Sequence, residues 1–352
     1  MSSEKPSGNK LSGNKLSGSF LCPSDSKQFR KTYHICLSSK KEVMFRSHED
    51  YNRAFNYYAL ALHKTDSIGL ADSFMSNHLH LIVQTSCPEI LMYAFRNSYA
   101  KYFNRKYQRH GRLGDIKHFC IELKGLYHIL AAISYTLRNA LHHGIAATPF
   151  GYKHSSINSV FKDALGKTHT LKILPKKSYY KHLGQHTKFP EHFIMSEEGL
   201  FLRECVYDIQ LVENLFATPR AFNYYMTRKT NEEWLKEQEK DNNNIPPITL
   251  QDIEHWAFKG EHDISNTLTG DTLRTFLQHE HGRNDYNRIT DIELCSIIDR
   301  HIKEYSKSSS STNTTVYTIP LEEKHSLAKL LQQKYYIKPE QLQRCLCFNV
   351  KK

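Results

Sequence analysis

The chain lacks features that define whole classes of protein. It has no apolar run of about 18 residues that would cross a membrane, and its N-terminus has no apolar signal core. Its eight cysteines are scattered, and none shows the Cys-x-x-Cys spacing typical of zinc sites. A chain of this length needs no disulfide framework, so we expect reduced thiols. These absences predict a cytoplasmic protein with no membrane partner.

The charge balance is strongly positive. Lysine and arginine number 48 against 36 acidic residues, which gives a formal net charge of +12. Such an excess favours a polyanionic partner, with nucleic acid first and an anionic membrane surface second. The length of 352 residues predicts more than one domain.

Composition and periodicity divide the chain into segments. The first 26 residues are rich in Ser, Gly, Lys and Asn, repeat a five-residue unit, and cannot bury a core, so we expect a disordered tail. The remaining predicted segments are a folded domain at 27–165, a basic loop and helical extension at 166–245, a helical region at 246–305, a Ser/Thr-rich linker at 306–316, and a helix-turn-helix-like hairpin at 317–352 that stops before a recognition helix. A plain α-hairpin for packing or dimer contact is an equal interpretation of the last segment.

The folded domain alternates between two periodicities. Apolar residues at every second position predict strands near 30–38 and 74–83, and apolar residues at three- and four-residue steps predict helices near 49–62 and from 89 onward. A further predicted strand directly precedes the strand near 74–83. The order strand, helix, strand, strand, helix predicts an α+β fold with an antiparallel sheet.

Two histidines stand two residues apart in the second strand pattern. His78 and His80 therefore project from the same strand face, close enough for both imidazoles to bind one divalent cation. With 21 histidines in the chain, one such pair is expected by chance. A second pair, in His279-Glu280-His281, follows a helix-like run, precedes Gly282 and is interpreted as a solvated helix end.

The helix that follows combines basic and aromatic residues. Its tyrosines include Tyr99, Tyr102 and Tyr107, and its cations are Lys101, Arg105, Lys106, Arg109 and Arg112. Lysine and arginine neutralise phosphates, whereas tyrosine stacks on bases or attacks phosphorus. The alternative is a basic amphipathic helix with buried aromatic side chains.

Several short motifs, taken in their order along the chain, resemble those of the single-tyrosine HUH transposases, in particular the REP-associated tyrosine transposase branch. The resemblance spans about residues 30 to 165 and rests on segments 33–36, 75–81, 99–105, 111–114, 134–139 and 152–156. It implies a four- or five-stranded antiparallel sheet with helices on its face, similar to an RNA-recognition domain. It also implies a homodimer that acts on single-stranded or hairpin DNA.

The resemblance further implies a reaction and its residues. Two histidines, here His78 and His80, hold Mg²⁺ or Mn²⁺ against the scissile phosphate, and a helix tyrosine attacks phosphorus to leave a 5′-phosphotyrosine. We take Tyr99 as the nucleophile, with Tyr102 as the fallback. Relatives place a polar third ligand four residues after the tyrosine, where this chain has Phe103, so we take Asn104 instead.

The chemistry of these residue types agrees with such a reaction. A phenol with a pKa near 10 needs a nearby cation or base to become a nucleophile at neutral pH. The predicted function is therefore a metal-dependent DNA transposase that nicks and rejoins strands. Its rivals are an inactive or domesticated hairpin-DNA-binding protein, a replication or mobilisation initiator of the wider HUH class, and a histidine-rich metal hydrolase.

Overall fold

The computed structural model describes residues 29–167, 171–239, 245–250, 252–254, 289–308, 314–335 and 337–348. The predicted tail at 1–26, part of the predicted linker and the second His-x-His pair lie outside these residues. Within them, no helix combines the length and apolar character needed to cross a bilayer.

One antiparallel sheet organises the folded domain. Its strands are β1 (Lys31–Ser38), β2 (Ile68–Phe74), β3 (His78–Thr85) and β4 (Phe119–Glu122), in the spatial order β2-β3-β1-β4. Every pair is antiparallel, and β3 lies between β1 and β2. The predicted α+β class with an antiparallel four-stranded sheet is confirmed.

Three long helices cover the two faces of this sheet: α1 (His48–Lys64), α2 (Pro88–Tyr107) and α3 (Gly125–His142). Apolar side chains of α1 and α2 share one core with Leu79, Leu81 and Val83 of β3. Apolar side chains of α3 share a second core with Ile82, which projects from the opposite face of β3. The sheet therefore separates α2 from α3.

The described chain between α3 and Ile209 is mostly irregular, and from Ile209 onward it is mostly helical, as predicted for the C-terminal region. The helices are α4 (Tyr180–Leu183), α5 (Ile209–Phe216), α6 (Pro219–Thr227), α7 (Asn231–Gln238), α8 (Asp291–Ser308), α9 (Leu321–Lys334) and α10 (Pro339–Leu346). Helices α5 to α7 pack over α3, and α8 to α10 enclose a core of their own that includes Val43 from the β1–α1 loop.

The C-terminal helices are attached to the loops that flank the start of β3. Buried Arg46 donates to the carbonyl of Cys345 and to the carboxylate of Asp299, each at 2.7 Å. Ser76 lies two residues before β3 begins, and its hydroxyl donates to the carboxylate of Asp291. These contacts fix the entry into β3.

Helix α1 begins with a capping box. The Ser47 hydroxyl accepts from the backbone N–H of Asp50, whose carboxylate accepts from the backbone N–H of Ser47. We expect Ser47→Ala to lower the free energy of unfolding by about 1 kcal/mol, because one N–H at the helix start loses its acceptor. Urea denaturation measures this loss. Ser98→Ala on the exposed side of α2 is the control, and an equal effect of both substitutions would contradict the capping role.

Candidate active site

The two predicted histidines share one face of β3. The ring centroids of His78 and His80 lie 5.3 Å apart, and the backbone of the strand directs both toward α3. His34 of the neighbouring strand β1 joins them, with its Nε2 3.0 Å from Nδ1 of His80. Three imidazoles thus line the α3 side of the sheet, and the contact with His34 fixes the ring orientation of His80.

Helix α3 brings a tyrosine and a carboxamide to these imidazoles. The ring of Tyr135 lies 5.2 Å from that of His80, and Oδ1 of Asn139 lies 3.1 Å from Nε2 of His78. The two residues are four positions apart, so they lie one turn apart on the same side of the helix. Buried Ala131 continues the stripe by one more turn. The amphipathic packing of α3 therefore places Tyr135 and Asn139 against the histidine strand.

Burial governs the protonation of this cluster. It lowers the pKa of His34 to about 4 and the pKa values of His80 and His142 well below their ordinary value. It raises the pKa of the Tyr135 phenol well above 10. At neutral pH these three imidazoles are uncharged, which is the form that binds metals, while the phenol is protonated.

Two of the candidate donors have the spacing of ligands on a small divalent cation. Octahedral Mg²⁺ binds its ligands at about 2.1 Å, which places neighbouring ligand atoms about 3 Å apart. Nε2 of His78 and Oδ1 of Asn139 have this separation, at 3.1 Å. Nδ1 of His78 lies 3.0 Å from Oδ1 of Asn77, so Nε2 is the ring nitrogen that faces Asn139. A cation beside Nε2 would take Oδ1 of Asn139 as a second ligand.

A carboxamide is needed to complete such a site. Within the described ranges, no three His, Cys, Asp or Glu side chains converge to hold a metal. Two imidazoles and one amide oxygen make a neutral ligand set, which leaves the charge of a bound cation available to a phosphate.

The structure does not bring Tyr99 or Tyr102 to the histidines. Tyr99 is buried in the core on the opposite face of the sheet, where its hydroxyl donates to the carbonyl of Met44 at 2.6 Å. The Tyr102 hydroxyl donates to Asp50 of α1 at 3.1 Å. Burial raises the pKa of both phenols. The expected placement of these tyrosines beside the histidines is wrong, because α2 packs on the Leu79 and Leu81 side of β3.

Asn104 is likewise on the wrong helix for a ligand. Its amide nitrogen donates to the carbonyl of Gly111 at 2.7 Å, and its oxygen accepts from Arg109 at 2.9 Å. Both ends of the carboxamide therefore close the loop after α2. The expected ligand role of Asn104 beside His78 is not compatible with this position.

The predicted DNA-binding cations fall into two groups. Lys106 donates to Asp50 at 2.7 Å, and Arg109 donates to Glu42 at 2.8 Å, so both are engaged within the protein. Lys101, Arg105 and Arg112 are exposed on the outer side of α2 and its following loop. Helix α2 is therefore amphipathic, with buried tyrosines on one side and cations that face solvent on the other.

The sequence already contained the signal for Tyr135. It belongs to segment 134–139, one of the motifs behind the family resemblance, and it has a carboxamide, Asn139, four residues later. The sequence prediction instead assigns the nucleophile to the first helix after the histidine strand. Sequence alone does not specify which helix covers which face of the sheet.

Comparisons with known proteins end at a distant likeness. No family model and no curated protein matches the chain. Among solved structures, a REP-associated tyrosine transposase bound to a REP hairpin is 10% identical, with a TM-score of 0.34 over 40% of this chain and 87% of that one. A likeness of this size assigns neither family nor function.

Proposed function

We propose that this protein is a DNA strand transferase that nicks and rejoins single-stranded, hairpin-bearing DNA through a 5′-phosphotyrosine on Tyr135. In this proposal, His78, His80 and Asn139 hold Mg²⁺ or Mn²⁺, and the working form is a homodimer. The observation that supports it is the position of Tyr135 and Asn139, one helical turn apart, directly against the histidine pair. The positive net charge of +12 suits a nucleic-acid substrate.

The protein's own residues prepare the reaction. Asn77 orients His78, and His34 orients His80, through contacts to the Nδ1 atoms of both rings. The phenol oxygen of Tyr135 forms a bond to phosphorus as the bond from phosphorus to the 3′-oxygen breaks. The phenolic proton passes to solvent, and the departing 3′-oxygen takes up a proton. A bound divalent cation supplies positive charge that favours the phenolate and offsets charge on the phosphate oxygens.

Access to the site requires movement of α3. Tyr135 is only 1% exposed and Asn139 is fully buried between α3 and the sheet. A DNA phosphate therefore reaches the phenol only when α3 shifts away from β3. This closure also favours a second candidate function, a hairpin-DNA-binding protein without chemistry, which would bind DNA and form no covalent product.

Labelled DNA separates these two functions. We expect wild-type protein with Mg²⁺ or Mn²⁺ to form a denaturation-resistant adduct with a hairpin oligonucleotide, and the adduct should retain the DNA on the 3′ side of the nick. Chelator should remove the activity and added metal should restore it, because the buried phenol needs a cation to ionise. DNA binding without any adduct would leave only the second candidate.

The histidine requirement has a matched control. His78→Ala and His80→Ala should each lower adduct formation by more than about 100-fold, the scale expected when a transition-state charge is no longer stabilised. His110→Ala removes an exposed histidine outside the cluster and should leave the yield unchanged. Full activity of both site variants would show that the imidazoles take no part.

A further inference from the structure

A groove lies on the other side of the sheet, along the outer face of α2. It runs between α2 and the loop at 111–118 and has a volume of about 680 Å³. That volume is typical of ligand pockets. Met92 and Leu113 form its buried floor, so the groove has an apolar base that is independent of the histidine cluster.

The rim of the groove is positively charged. Lys101, Arg112 and Lys117 line it and are exposed. Arg96 also lines it, held in place by donation to the carbonyls of Asp115 and Ile116. Burial, followed by the charge of Arg112, lowers the pKa of Arg96, as expected for two guanidinium groups that face the same space.

The negative charge along the groove is small. Among the described residues that line it, Glu89 is the one carboxylate, and its Oε1 lies 3.3 Å from Nε2 of His118, whereas Asp115 of the adjoining loop accepts from the Ser38 hydroxyl. Four cations therefore face one carboxylate that already has a neighbour. An anion with several charges would relieve the repulsion between the cations.

Large apolar side chains accompany the cations. Tyr93 is 60% exposed and Ile116 is 76% exposed, although each lines the groove or its edge. Tyr93, Asn97 and Lys101 follow each other at four-residue steps, so they form one stripe along the outside of α2. An exposed aromatic ring beside cations is the combination that stacks a base while phosphates are neutralised.

The shape of the groove fits a strand more than a compact ion. From Glu89 to Asn104 the groove follows α2 for about 22 Å at the helical rise of 1.5 Å per residue. Lys117 and His118 lead directly into β4, the edge strand of the sheet. A polynucleotide in the groove could thus continue around this edge toward the histidine face.

We propose that this groove binds a single-stranded segment of nucleic acid, with phosphates on Arg96, Lys101, Arg112 and Lys117 and a base stacked on Tyr93. The nature of the partner follows from the proposed function, but binding here needs neither Tyr135 nor a metal. The groove is a second contact surface, on the face of the sheet opposite the proposed reaction site.

Fluorescence anisotropy with a labelled oligothymidylate tests this assignment in the presence of chelator, so that no cleavage contributes. The triple variant Lys101→Gln, Arg112→Gln, Lys117→Gln should reduce the magnitude of the slope of log affinity against log salt by about 2, since each lost phosphate contact contributes about 0.7. A matched triple, Arg300→Gln, Lys303→Gln, Lys329→Gln, removes the same charge from exposed positions of α8 and α9 and should leave the slope unchanged.

Tyr93→Leu separates stacking from charge. It should weaken binding by about 5- to 100-fold, the range expected for one stacked base, with no change in the salt dependence. Equal losses in both triple variants would overturn the proposal in favour of a general charge effect. Equal competition by duplex DNA or by polyglutamate would overturn the commitment to a single strand.

The test also remains distinct from the proposed chemistry. If wild-type protein forms no adduct but binds DNA in a way that the groove variants weaken, the proposed function is wrong and the groove assignment stands. If the protein forms the adduct and the groove variants bind DNA as well as wild type, the proposed function stands and the groove assignment is wrong.

Discussion

Tyr135→Phe is expected to abolish the covalent DNA adduct, with a loss of more than about 1,000-fold, because the variant lacks the oxygen that would attack phosphorus. The fold should persist. Phenylalanine keeps the ring that packs against His80 and His142. The adduct is measured on a denaturing gel, and the fold by the thermal unfolding midpoint.

Tyr99→Phe is the matched control for this prediction. Its hydroxyl donates to the Met44 carbonyl on the opposite face of the sheet, so its removal should cost about 1 kcal/mol of stability and leave the adduct in place. Adduct formation that survives Tyr135→Phe and disappears with Tyr99→Phe would reverse the assignment.

Asp72→Ala is expected to lower the free energy of unfolding by about 3 to 5 kcal/mol, because it leaves a buried guanidinium without its carboxylate. Arg203 donates to both oxygens of Asp72 at 2.8 Å, and both side chains are buried. The guanidinium also lies over the ring of Phe55, 4.4 Å from its centroid. This pair joins the segment before α5 to strand β2, so its loss would loosen the extension that covers α3.

A double substitution tests whether the unpaired charge is the cause. The double variant Asp72→Leu, Arg203→Met removes both charges. It should recover most of the stability that Asp72→Leu alone or Arg203→Met alone loses. Urea denaturation of all variants measures the coupling. A single-variant loss below about 1 kcal/mol, or a double variant less stable than both singles, would contradict this explanation.

The alternation of apolar residues predicts β1, β2 and β3 but not the short edge strand β4. Leu79, Leu81 and Val83 all face one core, and His78 and His80 face the other, as a period of two requires. The helical stripe of α2 was also visible in the sequence, since Phe95, Tyr99 and Phe103 repeat at four-residue steps and are buried. Local periodicity therefore defined the elements and the inward side of each one.

Periodicity did not reveal which face of the sheet each helix covers. Both faces of β3 are buried, so the apolar stripe of a helix does not indicate which of the two faces the helix covers. The choice depends on long-range contacts, such as those of Asp50 with Tyr107 and Lys106, which join α2 to α1. This is why the sequence predicts Tyr99 beside the histidines, whereas Tyr135 occupies that position.

The pairing of charges was equally invisible in the sequence. Glu42 lies 67 residues before Arg109, and Asp50 lies 56 residues before Lys106, yet each pair is in contact. A count of cations on α2 therefore overestimated the number available to DNA. Of the exposed cations, Lys101 and Arg112 line the groove together with Arg96 and Lys117, whereas Arg105 lies outside it.

The most direct measurement of the central claim is the identity of the tyrosine that carries DNA. Trypsin digestion of the purified adduct separates the candidates, because Tyr135 falls in the peptide 125–138 and Tyr99 in the peptide 97–101. Mass spectrometry should find the nucleotide on peptide 125–138, with fragment ions that place it on Tyr135. Nucleotide on peptide 97–101 would contradict the account, since that tyrosine lies across the sheet from His78 and His80.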